Sequence, residues 1–155
     1  MGTNGLATLN AKYIHAAFGL RYLLANLDEL QPETALLEFD LDQGPLEIVE
    51  TVLQYTPCIV GFGVYIWNVT ATHQVVAILK QLRPDLIIVL GGPEVSYETD
   101  QPSIVHQADF VVAGEADLAF PQLCRQLLAG TRPTGKTIAA PLPDLTELKL
   151  PYHLY

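Results

Sequence analysis

Hydrophobic positions along the chain fall into short apolar runs that alternate with amphipathic stretches. Five of these runs predict β-strands, because they are rich in β-branched and aromatic residues and contain few polar breaks. The predicted strands are Leu6–Asn10, Thr34–Leu41, Cys58–Ile66, Leu86–Leu90 and Asp109–Val112. The third run, CIVGFGVYI, is almost wholly apolar, which is typical of a strand that is buried on both faces.

Apolar residues at helical spacing separate these strands. The predicted helices are Ala11–Leu27, Leu46–Tyr55, one from Thr70 or Thr72 to Leu82, a short one near Ser103–His106, and Asp117–Leu128. Apolar strands with helices between them imply parallel pairing, because each crossover returns the chain to the same end of the sheet. We therefore predict a Rossmann-like, flavodoxin-like α/β fold, an open parallel five-stranded sheet with helices on both faces.

The length of 155 residues suits one domain. We predict that the domain spans residues 1–130. Residues 131–155 contain several prolines and no sustained periodicity, so they are predicted to be a linker that leads towards another domain.

Composition narrows the class of protein. Half of the residues are hydrophobic and 16% are charged, which excludes a disordered chain. The net charge of −9 and the scattered basic residues disfavour a nucleic-acid partner. Cys58 and Cys124 are far apart and are predicted to be buried thiols in a reducing compartment. No secretion signal and no apolar run of about 20 residues is visible, so we expect a cytoplasmic protein without a membrane partner.

Ligands of open parallel sheets bind beyond the carboxyl ends of the strands, where loops and helix N-termini converge. Glycines at that edge let a bulky or flat ligand approach the backbone. The candidate binding residues at or after these strand ends are Asn10, Tyr13, His15, Gly63, Tyr65, Trp67, Gly91, Gly92, Pro93, Glu94, Gly114 and Glu115. We expect them to share one rim of the molecule.

Each candidate also has a purely structural interpretation. Gly91-Gly92-Pro93 is a common strand-ending turn, Trp67 suits a lid on the core, and His15 suits a surface or core histidine. Glu115 favours a helix N-terminus whether or not a ligand is present. No nucleophile elbow and no histidine-rich metal signature is visible, so the pattern favours a binding domain over a self-sufficient catalyst.

A phosphate-loop pattern, G-x4-G-K-S/T, occurs at residues 130–137. Its mechanism requires a strand before the loop and a helix after it, so that backbone amides and the helix N-terminus surround phosphate. Here a predicted helix precedes the pattern and prolines follow it. The sequence therefore predicts no nucleotide site at these residues.

Four segments carry a resemblance to a known family: TLNAKYIHAAFGLRYLLANL, IVGFGVYIWNVTAT, IVLGGPEVSYE and DFVVAGEADLAFPQL. Across roughly residues 6–130 the chain resembles the N-terminal cobalamin-binding-type domain of radical SAM proteins. In that family a downstream barrel holds a 4Fe-4S cluster through Cys-x3-Cys-x2-Cys and uses S-adenosylmethionine, often for methyl transfer. This chain has no such triplet, so the resemblance implies a front domain whose partner is a barrel in cis, with the catalysis in that barrel.

The resemblance implies cobalamin as the cofactor, with departures from the usual motifs. Where cobalamin domains carry Asp-x-His-x-x-Gly, this chain has His15 but Tyr13 replaces the acid and Phe18 the glycine. Where they carry Ser-x-Leu-x-Thr, this chain has Gly63-Val64-Tyr65-Ile66-Trp67. Three alternatives stay open: His15 ligates cobalt, cobalamin binds without a histidine ligand, or the domain has lost cobalamin and contacts substrate or the barrel. A receiver or flavodoxin-like role is disfavoured, because Asn10, Tyr65 and Ala113 stand where a receiver needs acids and a lysine.

Overall fold

The computed structural model describes residues 3–10, 34–40, 42–64, 69–91, 104–113 and 119–139. Within these ranges six strands form one parallel sheet in the order β2-β1-β3-β4-β5-β6. The strands are β1 (Thr3–Asn10), β2 (Thr34–Asp40), β3 (Pro57–Gly63), β4 (Ile87–Gly91), β5 (Phe110–Ala113) and β6 (Thr137–Ala139). Neighbouring strands are parallel throughout, which confirms the predicted fold class.

Four helices lie in the same ranges: α1 (Pro45–Gln54), α2 (Val69–Leu82), α3 (Ile104–Gln107) and α4 (Ala119–Leu128). Gly44 precedes α1 in an extended conformation and its carbonyl accepts from the amide of Ile48 at 3.2 Å, with Pro45 in the first turn. This confirms the predicted helix start, because proline has no amide hydrogen to leave unpaired there. The predicted helix Ala11–Leu27 lies outside the described residues.

Side chains of the central strands alternate between two layers, as the period of a strand requires. One layer joins Val60, Phe62, Ile88, Leu90 and Val111 to helices α1, α2 and α3. The other joins Ile59, Val89, Phe110 and Val112 to Phe120, Leu123, Cys124 and Leu127 of α4. We call these sides the α2 face and the α4 face. The sheet is therefore covered by helices on both faces, as predicted.

Strand β6 differs from the prediction of five strands, because it lies in the segment that was predicted to be a linker. Val111, Val112 and Ala113 of β5 pair with Thr137, Ile138 and Ala139. Ile138 also packs against the hydrophobic cluster of the α4 face. Three residues are too few to show a periodic pattern, so only pairing with β5 and the packing of Ile138 reveal the strand. The division of the chain at residue 130 stays a prediction.

The turn between α4 and β6 is a Schellman motif. Gly130 has φ 88°, and its amide donates to the carbonyl of Leu127 at 3.1 Å. The amide of Thr131 donates to the carbonyl of Gln126 at 3.0 Å. The turn lies at the amino end of the sheet, because the guanidinium of Arg132 lies 5.6 Å from the ring centre of Phe110, the first residue of β5. In the described residues no helix is long and apolar enough to cross a membrane.

Candidate functional site

The carboxyl ends of the central strands meet at one edge of the sheet. Asn10, Gly63, Gly91 and Ala113 are the last residues of β1, β3, β4 and β5. Gly63 and Gly91 are register partners, and the amide of Val64 donates to the carbonyl of Gly91 at 2.8 Å. The structure thus brings three predicted site residues, Asn10, Gly63 and Gly91, to a common edge.

The remaining predicted site residues lie outside the described ranges, so their placement at this edge stays a prediction. They are Tyr13, His15, Tyr65, Trp67, Gly92, Pro93, Glu94, Gly114 and Glu115.

Three glycines leave part of the α4 face without side chains. Gly61 and Gly63 continue the alternation that starts at Ile59, so they belong to the same face of β3. By the same rule Gly91 follows Val89 on the α4 face of β4. Because Gly63 pairs with Gly91, and Gly61 with Val89, the glycines adjoin one another. We call Gly61, Gly63 and Gly91 the glycine surface.

Packing of the described residues does not require glycine at position 91. A Cβ built there would find its nearest neighbour, the carbonyl oxygen of Val112, at 3.9 Å, which is an ordinary contact. Its φ is not positive, so the backbone is open to other residues as well. Among the described residues, the missing side chain at position 91 is therefore not a condition of packing.

Elsewhere on the α4 face, the described parts of β3 to β6 carry apolar side chains. Towards the amino end Ile59, Val89 and Phe110 pack against α4, and beside the glycine surface Val112 and Ile138 pack on the same side. The glycine surface is consequently confined to β3 and β4 towards the carboxyl edge, where Gly61 and Gly63 are buried and Gly91 is half-buried. Gly61 was not among the predicted site residues; its spacing of two from both Ile59 and Gly63 is the signal that could have identified it.

Electrostatics contribute little to this part of the site. Among the described residues there is no group of three or more His, Cys, Asp or Glu side chains that could hold a metal ion. Burial raises the pKa of the Cys124 thiol on the α4 face to about 12, which keeps it protonated and unreactive. The described residues therefore offer recognition by shape and apolar contact.

The phosphate-loop pattern at residues 130–137 does not have the geometry of a nucleotide site. Helix α4 precedes it and strand β6 follows it, whereas a phosphate loop lies between a strand and a helix. Lys136 donates to the carbonyl of Val105 at 2.7 Å, so this side chain serves the junction between α3 and β6.

Comparisons with known proteins agree with this geometry. Residues 5–124 match the family described as B12 binding domain. The chain is 28% identical over 93 residues to a 2-(S-pantetheinyl)-carbapenam-3-carboxylate methyltransferase from Streptantibioticus cattleyicolor, covering 56% of this chain and 14% of that protein. The chain thus spans about a seventh of the length of this curated relative.

Solved structures show the same fold at low identity. The cobalamin-dependent S-adenosylmethionine radical enzyme OxsB matches with a TM-score of 0.62 and 15% identity, covering 86% of this chain and 19% of that chain. The methanol:cobalamin methyltransferase complex MtaBC from Methanosarcina barkeri matches with a TM-score of 0.57 and 17% identity, covering 93% and 49%. The response regulator RcsB of Salmonella typhimurium also matches, with a TM-score of 0.57, 11% identity and coverage of 87% and 64%. These likenesses therefore establish the fold alone.

Proposed function

Because the chain belongs to the B12 binding domain family, we propose that it binds cobalamin at the carboxyl edge of its sheet, as the cofactor-carrying domain of a larger enzyme. The observation that carries this proposal is the glycine surface. Cobalamin consists of a broad corrin ring with a nucleotide tail, and it needs a recess that side chains do not fill. Gly61, Gly63 and Gly91 provide a side-chain-free backbone surface on one face at the correct end of the sheet.

The described residues fit a ligand such as cobalamin. Apolar side chains adjoin the glycine surface: Ile59 and Val89 lie on its amino-end side and Val112 lies beside it. The remaining candidates, whose contacts we propose from their strand-end positions, are Asn10, Tyr13, Tyr65, Trp67, Gly92, Pro93, Glu94, Gly114 and Glu115.

We propose His15 as the residue that could approach cobalt, with binding without a histidine ligand as the alternative. Bound cobalamin would supply methyl-transfer or radical chemistry. The chain itself would hold and orient the ring and exclude water from one side of it. The nitrogen ligand is testable by electron paramagnetic resonance of the cob(II)alamin complex, because a coordinated nitrogen splits the cobalt signal. Histidine labelled with nitrogen-15 should change the three-line splitting to two lines if His15 ligates cobalt, and should leave three lines if the nitrogen belongs to the nucleotide tail. His15→Ala should remove the two-line pattern.

The larger enzyme that we propose is a radical SAM methyltransferase or a related radical enzyme. Its barrel would follow this domain in cis and would hold S-adenosylmethionine and a 4Fe-4S cluster. Two observations support this: the methyltransferase relative is much longer than the matched segment, and OxsB shares the fold over 19% of its length. The substrate and the reaction would belong to that barrel.

Titration with hydroxocobalamin tests the binding proposal. The purified chain should retain stoichiometric corrinoid after gel filtration, detected by its visible absorption. Gly91→Leu should weaken binding at least tenfold, because its side chain would occupy the glycine surface. Gly44→Leu is the matched control, since Gly44 is exposed at the start of α1 and a Cβ there meets nothing within 4 Å.

The two variants separate binding from folding. Circular dichroism checks that Gly91→Leu is folded, and Gly91→Ala is the milder variant, because a Cβ at position 91 makes only an ordinary contact with the described residues. A colourless wild-type protein would refute cobalamin binding and would favour a docking or substrate-contact domain of the same fold. Equal retention by the wild type and Gly91→Leu would refute the glycine surface as the site.

A further inference from the structure

Charged side chains of the described residues are sorted along the direction of the strands. The lysines and arginines in the described ranges all lie towards the amino end of the sheet, at the end of α2, in the last turn of α4 or between α4 and β6: Lys80, Arg83, Arg125, Arg132 and Lys136. In contrast, Asp40, Asp42 and Glu47 lie at the end of β2 and the start of α1, at the carboxyl edge. The amino end is therefore basic in a chain whose net charge is −9.

Two of these cations are not neutralised within the described part of the chain. Lys80 and Arg83, at the end of α2, each form an ion pair with an aspartate. Arg132 instead lies over the ring of Phe110, and Lys136 donates to a backbone carbonyl of α3. No described carboxylate forms an ion pair with either of these two side chains.

The ring of Phe110 helps to position the guanidinium of Arg132. Its central carbon lies 5.6 Å from the ring centre, and Arg132 is exposed. An aromatic ring offers the guanidinium no oxygen acceptor, so its N–H donors remain available for the two oxygens of a carboxylate. Because the group is already held in place, less conformational entropy is lost when a carboxylate binds.

An exposed leucine lies in the same region. Leu128, the last residue of α4, is 41% exposed, and the Schellman turn joins it to Arg132. Residues 119–139 contain no aspartate or glutamate. Arginine and apolar side chains without nearby acids are typical of protein interfaces. The leucine favours a protein segment over a phosphate ligand, because phosphate offers no apolar group for it to contact.

We propose that Leu128, Arg132 and Lys136 form a docking surface for an acidic protein segment. We call these three residues the basic surface. Arg132 binds a carboxylate of the partner, and Leu128 contacts an apolar side chain. The net charge of the chain repels an acidic partner, so binding is directed to the described region where cations outnumber acids. The basic surface lies at the opposite end of the sheet from the glycine surface, and its role does not depend on the proposed cofactor.

An NMR titration of the full chain with a synthetic acidic peptide tests the proposal. The probe is the peptide EELEELEE, and its neutral control is QQLQQLQQ. The amide signals of Leu128, Arg132 and Lys136 should shift with the acidic peptide alone. The signals of Gly63 and Gly91, at the carboxyl edge, should shift with neither. Raising the NaCl concentration from about 50 mM to about 500 mM should weaken binding about tenfold, because salt screens exposed charges.

Substitutions separate the basic surface from the overall charge of the chain. Arg132→Glu should weaken peptide binding at least tenfold. Arg132→Lys should weaken it about threefold, since lysine keeps the charge but has no planar fork. Arg83→Glu is the matched control, because it makes the same charge change in an arginine that already pairs with Asp85, and it should change the affinity less than about twofold. If Arg132→Glu does not fold, Arg132→Gln replaces it.

Three outcomes would overturn the proposal. The first is an acidic peptide that leaves the signals of the basic surface unshifted, and the second is an equal loss of affinity in Arg132→Glu and Arg83→Glu. The third concerns the class of partner: the peptide EEEEEEEE is more acidic but has no leucine, so it should bind more weakly than EELEELEE. Tighter binding of EEEEEEEE would refute the apolar contact and would favour a simple polyanion. Retention of hydroxocobalamin should be the same in Arg132→Glu as in the wild type.

Discussion

The ammonium group of Lys80, near the end of α2, donates to Oδ2 of Asp109, the residue that precedes β5, at 3.0 Å. The same ammonium donates to the carbonyl of Leu86 at 2.7 Å, and the same carboxylate oxygen accepts from the amide of Ile88 at 2.8 Å. One partly buried ion pair therefore joins a helix to the starts of two strands. It lies at the amino end of the sheet, away from the glycine surface.

Asp109→Ala should lower the free energy of unfolding by about 1–3 kcal/mol, because it leaves the ammonium and the amide without their shared acceptor. Urea denaturation followed by circular dichroism measures the loss. The exposed pair Arg83–Asp85 provides the control, and Asp85→Ala should leave the urea midpoint unchanged. Cobalamin affinity should stay unchanged in both variants; a large loss in Asp109→Ala would mean that the two ends of the sheet are coupled.

Gly130→Ala should destabilise the protein by about 1 kcal/mol, since a residue with a Cβ is strained at φ 88°. Thermal or urea unfolding detects the difference. Gly135→Ala, in the same connection, is the control: its φ is not positive and its nearest neighbour would lie at 3.9 Å. An equal effect of the two substitutions would contradict the assignment of strain to the Schellman turn.

Thr72→Val should stabilise the protein by about 1 kcal/mol. Thr72 in α2 is fully buried, and its hydroxyl oxygen has no hydrogen-bond partner among the described residues. Replacing an unpaired hydroxyl with a methyl group of similar size removes a desolvation penalty. Thr72→Ser keeps the hydroxyl but removes the methyl group, so it should lower the stability. A loss of stability in Thr72→Val would show that the hydroxyl has a partner in solution.

The two cysteines should differ sharply in reactivity. Cys58 is exposed and Cys124 is buried, which corrects the prediction that both thiols are buried. Cys58 is the second residue of the central strand β3, at its amino end, where solvent reaches the side chain. Ellman's reagent at pH 8 should titrate one thiol at once and the second only after unfolding, and Cys58→Ser should remove the fast phase.

The raised pKa of Cys124 also predicts a pH dependence. The folded state holds this proton up to a pKa of about 12, whereas the unfolded thiol releases it near its ordinary value of 9.0. The unfolded state therefore binds fewer protons between these values, and stability should fall as the pH rises through this window. Urea midpoints at pH 8 and pH 10 measure the decline. Cys124→Ala, which has no thiol to ionise, should show a smaller one.

Local pattern was enough to predict most of the sheet. Buried central strands such as β3 and β4 are continuous apolar runs with no rival interpretation, and a parallel sheet follows from the helices between them. Strand β6 could not be predicted, because its three residues are ordered by their neighbour β5 rather than by their own sequence. Strand ends also shift: the apolar run predicted a strand to Ile66, and β3 ends at Gly63.

The sequence was enough to predict that the site lies at the carboxyl edge of the sheet, but not which face of the sheet the glycines occupy. The rule for parallel sheets brought Asn10, Gly63 and Gly91 together, since it depends only on strand direction. Which face each glycine occupies depends on where α4 packs, and that is a tertiary contact. Gly61 was therefore overlooked as a site residue, although it is a neighbour of the other two glycines on the α4 face.

The α4 face has two parts that constrain substitutions differently: the apolar side chains that pack on α4, and the glycine surface. Ile59, Val89 and Phe110 hold the sheet to its helix, so mutations there are screened by whether the protein folds at all. Among the described residues nothing requires a glycine at position 91, because a Cβ there would make only an ordinary contact with the carbonyl oxygen of Val112. Related domains of this fold can thus lose or change their ligand and still fold.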